Sequence, residues 1–224
     1  DRQAQPQQAA PAAAPAASTP GNGFCKNIIT VINNAATALK LTLKDVKIDV
    51  SDTGSYWVEG KAALSVQGKG NVEIELDGNN ELKSGVQRAG LEKNTSTSTG
   101  TLTLKDDKEA GSGSLTAEAP SSGIRIQNGT LDVTDGTVNA TAADNGIYAL
   151  GNTVQVSGGT LCATATGEHS AGIEASHNGQ VTVSSGKLTA SGGSYGIAAG
   201  QLEMSGGTLN ASANGTAAIT GSSI

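Results

Sequence analysis

The sequence predicts an all-β fold: a right-handed, single-stranded parallel β-helix, or solenoid, with three short strands per rung and about seven rungs. Three observations carry this. Gly-Ile pairs recur at Gly123-Ile124, Gly146-Ile147, Gly172-Ile173 and Gly196-Ile197, with weaker versions at Gly90-Leu91 and Ala218-Ile219. From Gly123 the successive spacings are 23, 26, 24 and 22 residues. Two further apolar columns stay in phase with these anchors. One runs Leu102-x-Leu104, Leu131-x-Val133, Val154-x-Val156, Val181-x-Val183 and Leu202-x-Met204. The other runs Leu115-x-Ala117, Val138-x-Ala140, Leu161-x-Ala163, Leu188-x-Ala190 and Leu209-x-Ala211. Finally, glycine makes up 31 of the 224 residues while aromatics make up only 2 %. A wide core needs large rings, whereas a narrow coil fills its interior with stacked Ile, Leu, Val and Ala.

Residues 1–23 are Ala- and Pro-rich, with Pro6, Pro11, Pro15 and Pro20 in one short stretch. Such text buries no apolar surface and reads as a flexible leader. Residue 1 reads as the start of a mature form or of a piece of a longer chain, and no apolar signal region is visible at the start. The β-helix is expected over 24–224. Residues 24–35 (FCKNIITVINNA) read as a first strand or an N-terminal cap. Leu39, Leu41 and Leu43, then Val46, Ile48 and Val50, alternate with a period of two, which is a strand pattern. Residues 36–121 are less regular than the rest, and 92–100 (EKNTSTSTG) read as an insertion at one corner. In the regular part, turns such as Ser157-Gly158-Gly159 and Ser205-Gly206-Gly207 supply the positive φ that tight corners need. Residues 217–224 read as an incomplete last rung.

Charge and cysteine content narrow the function. A net charge of −6 and a pI near 4.9 argue against nucleic acid and against anionic lipid, both of which need a basic face. No apolar run reaches membrane-spanning length. Cys25 and Cys162 have no metal-type spacing, and whether they pair is open.

The passage Ala62–Gly85 (AALSVQGKGNVEIELDGNNELKSG), with its Leu76–Gly85 stretch and the recurring GI…V-x-GGTL-x-A rungs, resembles the bacterial carbohydrate-binding-domain surface proteins, whose parallel β-helix is related to that of pectate lyases. The likeness covers 36–224. It implies a right-handed β-helix, an extracellular or cell-surface setting, polysaccharide binding and bound calcium.

Read residue by residue, the outward column of the first strand is Glu92, Arg125, Tyr148, Glu174 and Ala198. Arg125 is expected to pair with Glu92. His169 and His177 lie in loop-like text, and no nucleophile–base–orienter set is visible. Enzyme activity is therefore not expected. Sugar binding draws on aromatic faces and hydrogen-bonding side chains, which points to Tyr56, Trp57, Arg125 and Tyr148, with Tyr195 a further aromatic; Trp57 could equally be a core or cap residue. Calcium needs several oxygens, which Asp77, Asn79, Asn80 and Glu81 offer in one turn and Asp106, Asp107 and Glu109 in another; plain turn chemistry explains the first equally well. The function expected is a non-enzymatic extracellular protein that binds polysaccharide or acts as an adhesin. The alternative is a structural subunit that associates head to tail into a filament.

Overall fold

The computed structural model describes residues 23–93, 99–107 and 112–223. The leader up to 22, the centre of the 92–100 segment, Glu109 and Ile224 lie outside the described residues. Among the described residues every regular element is a β-strand, and every named strand pairing is parallel. The chain forms a parallel β-solenoid of seven three-strand rungs, plus the opening strand of an eighth.

The first-strand column is Ile29–Ile32, Leu64–Gln67, Ala89–Lys93, Ser122–Ile126 and Asn145–Tyr148. It continues through the leading halves of Ala171–Val183 and Tyr195–Met204 and ends at Ala217–Thr220. The second column is Leu39–Lys44, Val72–Asp77, Thr101–Lys105, Thr130–Val133 and Thr153–Val156, then the trailing halves of the same two long strands. The third is Lys47–Asp49, Asn79–Lys83, Ser114–Ala119, Thr137–Ala142, Thr160–Ala165, Lys187–Gly192 and Thr208–Ala213. Because the last two complete rungs run their first and second strands together, those columns join into one 13-stranded sheet, and the third column makes a 7-stranded sheet. Residues 24–35 contain the first strand, and Cys25 adds one parallel bridge beneath Ile48.

Alternation within each strand sends one set of side chains inward. Leu91, Ile124, Ile147, Ile173 and Ile197 stack in register and are fully buried. Leu102, Leu131, Val154 and Val181 do the same from the second column, and Leu115, Val138, Leu161 and Leu188 from the third. Each such side chain contributes about 1.5–3 kcal/mol of apolar burial. The third column backs its Leu/Val position with Ala117, Ala140, Ala163 and Ala190. With Ala there from rung three onward the interior is thin, in keeping with the scarcity of aromatics.

The glycines serve two physical ends. At the corner between second and third strands, Gly136, Gly159, Gly186 and Gly207 have φ between 59° and 76°, as the Ser-Gly-Gly text implies. The Gly-Ile glycines have a different cause. At Gly146 a Cβ would lie 2.5 Å from the Thr164 nitrogen, on the third strand of the same rung, and 2.6 Å from the Gly172 oxygen above. The coil closes on itself there, backbone against backbone.

The earlier rungs bury polar groups that alternation would have made apolar. Asn80 stands in the inward column of Leu115, and its amide accepts from Val46 N–H at 2.9 Å and donates to the Ser114 carbonyl at 3.1 Å. Lys93 stands in register with Val66 and Ile126, is only 2 % exposed, and has its pKa lowered by burial. The two cysteines are free thiols. Cys25 sits below the first rung and Cys162 faces outward in the fifth, about 24 Å apart at ~4.8 Å per rung, which no disulfide spans.

Gly146→Ala is expected to destabilise the protein by about 2–4 kcal/mol, because backbone on two sides leaves the methyl no room. Chemical denaturation checks this, and a melt like wild type would show that the closure is looser than the coordinates place it.

Candidate functional site

Between the third strand of rung one and the first strand of rung two, the chain leaves the coil over 51–63. Ser55 and Val58 close a hairpin through N–H to carbonyl bonds of 2.7 and 3.2 Å, with Tyr56 and Trp57 at its tip. Tyr56 is 77 % and Trp57 86 % exposed, and their rings meet edge to face at 4.6 Å. Trp57 is therefore not a core residue. Gly54 and Gly60 form the neck, where a Cβ on Gly54 would lie 2.6 Å from the Gly60 nitrogen. The neck is stitched to the turn after rung two: Gly60 N–H donates to Val86 O at 2.9 Å, and Val86 N–H donates to Thr53 O at 3.0 Å.

The outward column of the first strand runs Thr30, Ser65, Glu92, Arg125, Tyr148, Glu174 in unbroken register. Arg125 and Tyr148 stand on adjacent rungs and share a groove of about 300 Å³ with Ser121, Ser122, Gln127 and Asn145. Arg125 donates to Ser121 Oγ at 3.1 Å. The expected Arg125–Glu92 ion pair is instead made by Arg88. The Arg88 guanidinium grips both Glu92 oxygens, and Glu92 is fully buried rather than solvated. Arg88 stands in the turn just before that strand and reaches the carboxylate four residues on. A second, smaller cleft of about 210 Å³ lies between the hairpin neck and the lower part of this column, walled by Gly60, Lys61, Thr30, Ser65, Gln67 and Arg88. The first face thus carries polar recesses below and above Glu92, and the neck of the hairpin walls the lower one. Larger grooves of about 520 and 500 Å³ follow the turns from third to first strand. No aromatic lines either, and Tyr195 stands away from both recesses of the first face, at the start of the rung-seven strand.

The residues expected to hold calcium are dispersed. Asp77 pairs with Lys44 at 3.3 Å and Glu81 with Lys47 at 2.7 Å. Asn79 donates to Glu81 Oε1 at 3.4 Å, and Asn80 points into the core. Asp106 is buried and accepts from Gly113 N–H at 2.6 Å, while Asp107 is exposed and paired with Lys105. Among the described residues no group of three or more His, Cys, Asp or Glu is placed to hold a metal ion. Of the histidines, His177 is exposed at φ 57° beside Ser176, whose hydroxyl donates to Glu174 and lies 3.4 Å from His177 Nδ1.

A family model for carbohydrate-binding domain-containing proteins matches residues 22–223. The chain belongs to this family. No curated protein and no solved structure matches it. For a carbohydrate-binding domain, an exposed aromatic pair beside a polar, Arg-bearing groove is the relevant chemistry: ring faces cover the apolar C–H patches of a sugar, and polar side chains bond its hydroxyls. The sequence reading named Tyr56, Trp57, Arg125 and Tyr148 but missed Arg88 and Gln67. Gln67 follows from the alternation within Leu64–Gln67, but nothing in the local spacing marks Arg88, whose partners meet only when the hairpin folds back.

On the second face Asp132 accepts from Ser157 Oγ at 2.7 Å and from Gln155 Nε2 at 3.5 Å. Burial raises its pKa, with the Ser157 bond opposing. A raised folded pKa gives stability present at low pH and lost as pH rises through it. Asp132→Asn is therefore expected to remove that loss and to flatten the stability profile just above the ordinary aspartate range of about pH 4. Melting curves across that range test this, and an unchanged slope would mean that the carboxyl is solvated.

Proposed function

We propose that the protein is a non-enzymatic, extracellular or cell-surface module that binds polysaccharide, with the glycan lying along the first face. The observation that carries this is the Tyr56–Trp57 pair, set out in solvent on a braced hairpin in a chain that is 2 % aromatic. Exposed rings on this scale belong to binding surfaces rather than to stability. Arg125, Tyr148 and their groove supply hydrogen bonds further along the same column. About four rungs separate Thr30 from Tyr148, or ~19 Å at ~4.8 Å each, which favours a chain of sugars over a single residue. Adhesion to a surface glycan is a natural use of such a face. The resemblance to the bacterial surface proteins with a pectate-lyase-type β-helix supports this setting.

Affinity electrophoresis in gels holding a soluble β-glucan, a xylan or a homogalacturonan tests the reading. At least one polymer is expected to retard the protein, and Trp57→Ala to weaken retardation about tenfold or more, as removal of a buried hot-spot aromatic does, without lowering the melting temperature. Arg125→Ala is expected to weaken it less. No retardation in any gel, or full retardation of Trp57→Ala, would sink the proposal. The same gels run with chelator test the expected calcium: retardation kept in chelator rests binding on the side chains alone, and its loss puts a metal in the binding step.

A further inference from the structure

We propose that Gln87 and Arg88 are positioning residues: their turn is a cradle that fixes the angle at which Tyr56 and Trp57 meet the glycan. This rests on reading the hairpin as the glycan platform.

The tip is held from one side by a single polar side chain. Gln87 Nε2 donates to the Tyr56 carbonyl at 2.8 Å, across 31 positions of sequence. Gln87 does so from φ 63°, a left-handed conformation that a side-chain-bearing residue rarely adopts. Glycine would satisfy the backbone there better, so the side chain is retained against local preference, and the bond it makes is to the platform. Arg88 holds the other end of the tip. Its NH1 pairs with Glu59 at 3.2 Å, two residues after Trp57, while Nε and NH2 grip the fully buried Glu92 in a fork. Glu92 also accepts from Ala89 N–H at 2.9 Å, so the anchor is tied to the wall of the solenoid. Burial acts to lower the Arg88 pKa, but Glu92 and Glu59 together hold it above its ordinary value, and the guanidinium stays charged. The bracing therefore runs from the core, through Glu92 and Arg88, to Glu59 and the ring pair. A flexible hairpin would have to be ordered on binding, and a braced one binds without that cost.

Trp57 is the only tryptophan, so its fluorescence reports the tip alone. The decisive variant is Gln87→Gly, which suits the left-handed backbone yet removes the bond to Tyr56. Its melting temperature is expected to match or exceed wild type, while the steady-state anisotropy of Trp57 falls and retardation in the β-glucan, xylan and homogalacturonan gels weakens about two- to tenfold. Glu59→Gln should lower the anisotropy in the same direction. Arg88→Lys keeps the charge but loses the fork and should give an intermediate value. Unchanged Trp57 anisotropy in both Gln87→Gly and Glu59→Gln would overturn the inference. So would lowered anisotropy with unchanged retardation, provided Trp57→Ala weakens retardation. If Trp57→Ala is retarded as fully as wild type, it is the platform reading that has failed, and the anisotropy alone then decides whether the cradle braces the hairpin.

Discussion

The rest of the structure depends on the in-register parallel ladder between rungs. Each strand bonds to the strand one rung below and one rung above, so a residue's neighbours are its counterparts one repeat away. A slip of one position would turn every buried side chain of a rung to solvent and every outward one into the core. The register Ile124–Ile147–Ile173–Ile197 and its two companion columns are the direct result. The same ladder limits the interior. With three short strands to a rung, the coil is narrow, and from the third rung onward Ala lines one column of it. Where the coil closes, only hydrogen fits on the α-carbon, and the Gly of each Gly-Ile pair meets the third-strand backbone at that point.

Charge is segregated along the axis. Every ion pair among the described residues joins side chains between Lys26 and Glu118, within the first three rungs. The buried polar groups Asn80, Glu92, Lys93 and Asp106 lie in that part too. Rungs four to seven have an apolar interior and carry mostly Thr, Ser and Asn outside. Uniform stacking is enough to specify the later rungs. The earlier ones vary in length and interrupt the pattern, and specific polar contacts replace what repetition lacks. Asn80 shows how: its side chain links Val46 of the rung below to Ser114 of the rung above, and so fixes the relation of three rungs whose own text is irregular.

The columns were legible in the sequence because periodic burial writes itself as periodic residues. All three were in phase from Leu102 onward, and the observed pairings follow them residue for residue. The cause of the Gly-Ile glycines was not legible, because close approach to another strand leaves no local mark distinct from a turn. The inward lysine was missed for a related reason. Lys93 follows Glu92 in text that reads as solvated, and only its register with Val66 and Ile126 puts it inside. The candidate site was half legible. Two adjacent aromatics in a chain so poor in them stood out by composition alone. Arg88 did not, since its partners Glu59 and Glu92 meet only after the 51–63 excursion folds back on the wall.

That excursion follows from the geometry of a solenoid face. A side chain on the ladder has neighbours ~4.8 Å above and below, close enough to cover both flat faces of a ring. Tyr148 is in this position, half-buried between Arg125 and Glu174. A sugar stacks on a ring face, and a ring is freest where the chain leaves the ladder, as it does at Tyr56 and Trp57. Leaving the ladder forfeits the backbone bonds that hold every strand in place, so the hairpin needs another source of rigidity. The backbone contact of Gly54 with Gly60, the Thr53–Val86 and Gly60–Val86 bonds, and the Gln87 and Arg88 contacts supply it. In the proposed binding mode the face of the coil and the hairpin divide the work: the ladder spaces polar groups at a fixed repeat along the glycan, and the hairpin supplies an exposed apolar ring surface.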